Sequence, residues 1–227
     1  YEDIPITGTF TSVAEGAVTY ALQTEPKNGS VTIEEGTANF KYIPKEGKTG
    51  KDAFAYVAID SEGRVSAPAQ VTVTIEKNKS KVTYEDMTDS AAHAAAICLA
   101  ENGVFTGCRV GDDYFFSPDE TVSRSEFLAM AMKATGVEEL DQVTMTGFCD
   151  DGAIPTWAKS YASAALKAGI IDGVATTEGV AFDASSAITL GEAATIMNRI
   201  LDVTNVVSPG PTETEQAMAN LQSVGVI

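Results

Sequence analysis

The sequence predicts a protein of two parts, a β-sandwich followed by a helical domain built from internal repeats. Through residues 1–78 apolar and polar side chains alternate with a period of two between frequent turn signals, which is typical of short strands. After residue 83 the apolar spacing becomes helical and one block of sequence occurs twice, which indicates a repeat architecture. The polar stretch Lys77–Lys81 separates the two patterns and predicts a linker over residues 79–83.

The strands of the first part are marked by apolar residues that lie two positions apart. About seven such strands, with no helical stretch among them, favour a sandwich of two sheets. No cysteine occurs in residues 1–78, so a disulfide between the sheets is excluded. The marker residues are Val31 and Ile33, Phe40 and Tyr42, Phe54 and Tyr56, and Val71, Val73 and Ile75.

The repeat in the second part runs through two helical blocks without a gap. Thr121–Val137 and Ala187–Val203 align at an offset of 66 positions, and the same offset places Gly103–Gly107 on Gly169–Gly173. A helix, a glycine-rich turn, a loop and a second helix therefore make one repeat. We predict a domain over residues 84–227, with full repeats over 84–137 and 148–204 and the first helix of a third repeat over 212–227.

The negative charge of the chain is concentrated in the repeat region. Residues 1–80 carry 11 acidic and 8 basic side chains, whereas residues 81–227 carry 21 and 7, a formal charge of −14. Such a field repels phosphate backbones, so we expect no nucleic-acid partner. No apolar run reaches the length of about 18 residues that a membrane span needs, so we expect no span in this sequence. Because the chain begins with a tyrosine, we expect it to be a piece of a longer protein.

Three segments of the first part resemble bacterial Ig-like, cadherin-like tandem modules. They are Glu2–Gly8, which is similar to the E-D-x-P-x-T-G opening of those modules, Glu25–Val31 and Asp52–Asp60. The resemblance implies an Ig-like sandwich that acts as a spacer or as an adhesive, partner-binding module.

Calcium is the cofactor that this resemblance raises, with Glu2, Asp3 and Asp60 as candidate ligands. Calcium requires about six to eight oxygen ligands, usually from clustered carboxylates. The acidic D-P-D-G-D stretch of the family is replaced here by Ser12–Gly16. We therefore interpret the three carboxylates as strand-end and turn residues, and we expect no cofactor.

The repeats resemble the S-layer homology module, whose pattern runs roughly F-x-D-x-x-x-x-W-A, then a helix ending G-I-I-x-G, then F-x-P-x-x-x-[IV]-T-R-A-E-F. The chain carries Trp157 before an alanine, Gly169–Gly173 as G-I-I-D-G, and Ser123–Glu126 in place of T-R-A-E. The resemblance implies a helical pseudo-threefold domain whose first helices form a central bundle. It also implies a secreted bacterial protein that binds cell-wall polysaccharide, at the cell wall or S-layer.

Ser123 and Glu126 belong to the saccharide-binding motif of that family, but both also have a structural role. The S/T-x-x-E spacing before an apolar helix is a capping box, and Thr189 and Glu192 repeat it. A capping box satisfies two backbone N–H groups that would otherwise lack partners at the start of the helix. We therefore interpret all four residues as caps in preference to ligands.

Arg124 is not explained by capping, because a cation near the N-terminal end of a helix is slightly unfavourable. In one interpretation its guanidinium and the free helix N–H groups form an anion site, which suits the pyruvate ketals of the family's polysaccharides. In the other interpretation Arg124 forms a surface ion pair with Asp119 or Glu120.

Repeat two departs from the motif, since Leu190 stands at the position of the arginine and Gly191 follows it. Conversely, Trp157 occurs only in repeat two, where the 66-residue offset pairs it with Ala91. Trp157 could stack on a sugar ring, but a tryptophan on an amphipathic helix favours a core position. The sole histidine, His93, is predicted to be a polar helix residue.

The three cysteines have no metal-binding or redox spacing. Cys98 lies on an apolar helical face and is predicted to be a core residue. Cys108 and Cys149 lie in loops, where they either form a disulfide or remain independent thiols.

No Ser/His/Asp, Cys/His or paired-carboxylate signature occurs, so we expect no enzymatic activity. The favoured hypothesis is non-covalent anchoring of a surface protein to wall polysaccharide. The rival hypothesis is a protein–protein interaction module that binds a surface-protein partner after losing sugar binding. A third is the accessory region of an enzyme. The number of intact basic motifs separates the first two, and here Ser123–Glu126 keeps its arginine whereas repeat two does not.

Overall fold

The computed structural model describes residues 1–12, 18–88, 90–204 and 212–227. Within these residues the chain divides into two compact units, Tyr1–Pro118 and Asp119–Ile227. The first unit contains the strands that the sequence predicts, and the second unit is mainly helical. The fold is therefore a mixture of β and α structure.

Six of the described strands in the first unit form two antiparallel sheets. They are β1 (Ile6–Thr9), β2 (Val18–Thr24), β3 (Gly29–Ile33), β4 (Asn39–Pro44), β5 (Gly50–Asp60) and β6 (Ala69–Ile75). One sheet has the order β1-β4-β3 and the other β2-β5-β6. Two antiparallel sheets match the predicted Ig-like sandwich, with six described strands where the sequence predicts about seven. Most of the Ser12–Gly16 stretch lies outside the described residues.

The apolar faces of both sheets meet in one core, as their alternation predicts. Phe40 and Tyr42 of β4 share a cluster with Phe54 and Tyr56 of β5, and all four side chains are buried. The ring of Phe10 stacks on that of Phe40, with 4.6 Å between their centroids. Each such aromatic stabilises the fold by about 1.5–3 kcal/mol through burial. The predicted inward positions in β4 and β5 are confirmed.

A helix and a hairpin complete the first unit. They are α1 (His93–Glu101), β7 (Cys108–Val110) and β8 (Asp113–Phe115). Ile97 of α1 is fully buried, in one cluster with Ile4 from the start of the chain and with Tyr84 and Met87. The first helix of repeat one is therefore part of the same compact unit as the sandwich.

The segment that the sequence predicts as a linker is fixed by side chains of this unit. Val82 is buried, and its carbonyl accepts a hydrogen bond from Nδ2 of Asn78 at 2.8 Å. The backbone N–H of Lys79 donates to Oε1 of Glu101 in α1 at 2.6 Å. The compact unit that contains the strands extends to Pro118, and the predicted domain boundary near residue 78 stays a prediction.

The helices of the second unit are α2 (Arg124–Thr135), α3 (Thr156–Lys167), α4 (Leu190–Leu201) and α5 (Glu213–Ser223), with a hairpin of β9 (Val174–Thr176) and β10 (Gly179–Ala181). Leu128 and Met132 of α2 form a core with Ala162 of α3 and Ile196 of α4. The N-cap of α3 is Pro155, and no side chain caps this helix. None of the described helices has the length and apolar character that crossing a bilayer requires.

The two repeats fix their long loops in the same way. Both carboxylate oxygens of Asp86 accept backbone N–H groups, from residues 116 and 117, at 2.9 and 2.7 Å. Asp150 accepts the N–H groups of residues 182 and 183, both at 2.8 Å. The glycines Gly107 and Gly173 have φ angles of 71° and 79°, and a Cβ atom on either would collide with a backbone carbonyl. A glycine is therefore required at both positions, because the turn before each hairpin has a left-handed backbone conformation and leaves no room for a Cβ atom.

Helix α5, in the segment that the sequence predicts as the start of a third repeat, packs on α4. Ala217 and Leu221 of α5 share a buried cluster with Ala194 of α4, and Leu221 is 1% exposed. Nδ2 of the buried Asn220 donates to the carbonyl oxygen of Val203 at 2.7 Å. The central bundle of first helices that the family resemblance implies stays a prediction, because the main partner of α5 in its unit is α4.

The three cysteines are free and exposed. Cys98 is wrongly predicted as a core residue, because the buried face of α1 is formed by Ala96, Ile97 and Ala100. Successive helical residues are rotated by about 100°, so Cys98 lies beside that face and not on it. Cys108 and Cys149 are independent thiols.

Candidate functional site

The two predicted capping boxes are present at the starts of α2 and α4. Oγ of Ser123 accepts the N–H of Glu126 at 3.3 Å, and Glu126 Oε2 accepts the N–H of Ser123 at 2.9 Å. Thr189 and Glu192 make the same pair of bonds at 3.2 and 2.9 Å. The capping interpretation of these four residues is confirmed.

A third capping box begins α5, where sequence analysis did not identify one. Oγ1 of Thr212 accepts the N–H of Glu215 at 3.2 Å, and Glu215 Oε2 accepts the N–H of Thr212 at 3.1 Å. The signal was available, because Thr212–Glu215 has the T-x-x-E spacing. All three helices that begin with this spacing are therefore capped in the same way.

Arg124 lies inside the second unit, where it contacts repeat two. Its Nη1 donates to Oε1 of Glu192 at 2.6 Å, and its Nε donates to the carbonyl oxygen of Phe182 at 3.0 Å. The guanidinium carbon also lies 5.8 Å from the centroid of the Phe182 ring. The side chain is 8% exposed and paired with Glu192, so the interpretation as a surface ion pair with Asp119 or Glu120 is wrong.

The two carboxylate oxygens of Glu192 accept hydrogen bonds from two different residues. Oε2 closes the capping box with Thr189, and Oε1 accepts from Arg124. Burial alone would raise the pKa of Glu192, but the bonds from Thr189 and the charge of Arg124 lower it overall. The carboxylate is therefore ionised at neutral pH and neutralises the arginine of the other repeat.

An open groove of about 220 Å³ lies beside this ion pair. It brings Arg124 together with the turn after α3, which carries the G-I-I-D-G motif, with one face of α4 and with the start of α5. Its lining includes both apolar side chains and charged groups, which is the composition of many ligand sites. The lining residues are Arg124, Ile170, Ile171, Asp172, Gly173, Val174, Glu192, Thr195, Ile196, Arg199, Glu213 and Thr214.

Arg199 is the second cation of the groove, and sequence analysis missed it. Its Nη2 lies 2.6 Å from both Asp172 Oδ2 and Glu213 Oε1, and its Nε donates to the same oxygen of Glu213 at 2.7 Å. Burial alone would lower the pKa of Arg199, but the bonds to Asp172 and Glu213 raise it overall. The offset of 66 pairs Arg199 with Lys133, so a basic residue late in each second helix was a usable signal.

The departures of repeat two from the motif coincide with the docking of α5. A Cβ atom at Gly191 would lie 2.5 Å from Cγ2 of Thr214, at the start of α5. The missing side chain therefore permits a close approach between α4 and α5. Leu190, at the position that corresponds to Arg124, is 66% exposed and does not line the groove.

Trp157 is 51% exposed, so its predicted core position is wrong. It lies in the first turn of α3 and is not among the residues that line the groove with Arg124. The residue of repeat one that corresponds to Trp157 is His93 and not Ala91. Ala91 lies before α1, whereas His93 begins α1 and lies nine residues after Tyr84, as Trp157 lies nine residues after Phe148.

The structure does not bring the three calcium candidates together. Glu2 Oε1 accepts the N–H of Asn78 at 3.1 Å, and Asp3 Oδ1 accepts the N–H of Gly47 at 2.8 Å. Asp60 forms an ion pair with Arg64 at 2.7 Å and accepts backbone N–H groups of its own turn. Across the described residues, no group of three or more acidic, histidine or cysteine side chains is arranged to hold a metal.

Comparison with known proteins identifies the sandwich. Residues 2–76 match the family model of a bacterial Ig domain, so this part of the chain is a bacterial Ig domain. The chain is also similar to Exoglucanase XynX of Acetivibrio thermocellus, at 30% identity over 126 residues, and to Endo-1,4-beta-xylanase A of Thermoanaerobacterium saccharolyticum, at 33% over 95 residues. The matches cover 54% and 42% of this chain, but 11% and 8% of those relatives. The chain thus spans a small fraction of each relative's length.

Proposed function

We propose that the chain attaches an exported bacterial surface protein, without a covalent bond, to cell-wall polysaccharide. The second unit binds the polysaccharide at the groove, and the bacterial Ig domain acts as a spacer or partner-binding module. The observation that carries this proposal is that Arg124 of repeat one and residues 170–174 of repeat two line one groove. Sugars suit such a surface, because they present hydroxyl groups to polar atoms and C–H faces to apolar side chains.

The named relatives support a role with carbohydrates in this proposal. Their names describe enzymes that act on glucan and xylan, and the chain covers a small fraction of each. We therefore propose a non-catalytic, extracellular module that holds a larger protein at its carbohydrate target. Trp157 offers a second sugar contact, because a half-exposed indole can stack on a pyranose ring.

The test is co-sedimentation of the full chain with purified wall material, with and without its attached polysaccharide. Val174→Glu places a longer, charged side chain in the groove and is expected to weaken binding about tenfold or more. Val180→Glu is the matched control, because both valines lie in the β9–β10 hairpin, at 42% and 45% exposure, and Val180 does not line the groove. Equal loss of binding in both variants, or binding to stripped wall, would contradict the proposal.

A second candidate function is a protein–protein interaction module without saccharide binding. The observation that favours it is the exposed Leu190 at the position of the motif arginine, with Leu201 also 40% exposed on α4. In that case Leu190→Ala, and not Val174→Glu, would reduce retention of the chain on intact cells. A comparison of Val174→Glu with Leu190→Ala therefore separates the two functions.

A further inference from the structure

Both guanidinium groups of the groove are already neutralised by carboxylates of the chain itself. Nη1 of Arg124 contacts Glu192 at 2.6 Å. Nη2 of Arg199 contacts Asp172 and Glu213, also at 2.6 Å. The groove therefore contains three carboxylates and two guanidinium groups, which leaves a net negative charge at the lining. A ligand carboxylate would have to replace one of these intramolecular partners before it could form an ion pair.

Replacement is most difficult at Arg124. Glu192 cannot move away without breaking the capping box at the start of α4, because its other oxygen is held by Thr189. The surroundings also disfavour an anion, since residues 119–227 contain 15 acidic and 5 basic side chains, a formal charge of −10. An anionic ligand is consequently repelled at long range and finds no unpaired cation in the groove.

The same carboxylates suit hydroxyl groups. Asp172 and Glu213 are 73% and 61% exposed, and each uses one oxygen for Arg199. Among the described residues, the second oxygen of neither carboxylate takes part in a hydrogen bond. Charged acceptors of this kind form short bonds with O–H donors, about 2.5–2.7 Å long. They are therefore placed to accept hydrogen bonds from the hydroxyls of a sugar.

We propose that the groove binds an uncharged, hydroxyl-rich glycan segment, recognised by Asp172 and Glu213, and that a pyruvate ketal on the polysaccharide is not required. This inference rests on the proposed wall-polysaccharide function and names the chemical class of its ligand. The two arginines hold the carboxylates in position, and they do not bind a ligand anion.

The test measures binding of the full chain by isothermal titration calorimetry. The probe is a pyruvylated bacterial wall polysaccharide, used before and after mild-acid removal of its pyruvate ketals. We expect the form without pyruvate to bind at least as tightly as the pyruvylated form, and its affinity to change less than about twofold between 50 and 500 mM NaCl, because an uncharged ligand is insensitive to screening. Binding of the pyruvylated form alone, or an affinity that falls about tenfold with salt, would overturn the inference while leaving the proposed function intact.

Glu213→Gln gives a second test whose sign depends on the charge of the ligand. If Glu213 accepts a sugar hydroxyl, the substitution weakens binding of both forms, by about threefold to tenfold. If Glu213 instead occupies an anion site, its neutralisation tightens binding of the pyruvylated form, which would overturn the inference. Glu178→Gln is the control, because Glu178 lies in the exposed hairpin turn outside the groove. Binding of neither form would reject the proposed function, and this inference with it.

Discussion

Nη1 of Arg124 lies 2.6 Å from Oε1 of Glu192, so the arginine that follows the cap of one repeat is neutralised by the carboxylate that caps the other. The pair joins residues that are 68 positions apart in the sequence. It also explains how a cation is accommodated near the N-terminal end of α2, where the helix dipole alone disfavours it. The motif thus connects the repeats as well as beginning each helix.

Arg124→Ala should destabilise the second unit by about 1–3 kcal/mol, because it leaves Glu192 and the carbonyl oxygen of Phe182 without their buried donor. Glu192→Gln should cost less, since a glutamine at this position can still close a capping box. Urea denaturation of both single variants and of the double variant measures the coupling. Additive effects would show that the pair contributes nothing to stability.

Gly191→Ala should destabilise the docking of α5, although alanine is the better helix former by about 1 kcal/mol. The added methyl group would lie 2.5 Å from Cγ2 of Thr214. We expect a loss of about 1–3 kcal/mol from overpacking, measured by thermal unfolding. Thr214→Ser removes Cγ2, so the double variant should recover most of the loss. A Gly191→Ala variant that is more stable than the wild type would show that the close approach is unimportant.

The stability of the sandwich should fall in acid because of Asp52, a buried carboxylate that sequence analysis did not identify as important. Burial alone would raise the pKa of Asp52, but bonds from the N–H of Lys27, the hydroxyl of Tyr42 and the N–H of Asn28 lower it overall. A lowered pKa means that the folded state is stabilised above the unfolded pKa of about 3.9, and that this stability is lost as the pH falls towards the folded pKa.

Asp52→Asn should therefore be less stable at pH 7 and should show a flatter dependence of stability on pH between about 5 and 2. Guanidinium denaturation of the full chain, followed at several pH values through the β-sheet signal, measures both effects. Parallel pH profiles for the variant and the wild type would exclude Asp52 as a source of the acid sensitivity.

Helix α5, in the segment predicted as a partial third repeat, should stabilise the second unit alone. Leu221→Ala removes a side chain that is 1% exposed between α5 and α4, and such substitutions cost about 2–5 kcal/mol. Val224→Ala is the control, because Val224 is 53% exposed. Deletion of residues 212–227 should have a larger effect and should leave the melting of the sandwich unchanged. An unchanged helical transition in the deletion variant would contradict a stabilising role for α5.

Calcium should not change the stability of the bacterial Ig domain, because Glu2, Asp3 and Asp60 each bond to a different segment of the chain. We expect no shift of the thermal midpoint when calcium is titrated from zero to millimolar concentration. A control in excess chelator defines the calcium-free midpoint. A clear rise of the thermal midpoint on calcium addition would show that the three carboxylates are again candidate calcium ligands.

The sequence alone determined the features that depend on neighbours along the chain. Period-two alternation placed Phe40, Tyr42, Phe54 and Tyr56 on inward strand faces, because a strand turns its side chains over at every residue. The S/T-x-x-E spacing determined the starts of α2 and α4, since a capping box closes within one helical turn.

Only the tertiary structure decided what depends on residues far apart in the chain. It gave Arg124 its partner Glu192, brought Arg199 to the groove, and left Trp157 exposed in the first turn of α3. It also placed α1 in the compact unit that contains the strands, because Ile97 is buried in one cluster with Ile4 from the start of the chain. Periodicity shows which face of an element is apolar, but the contacts between elements decide which surface covers that face and which charges meet there.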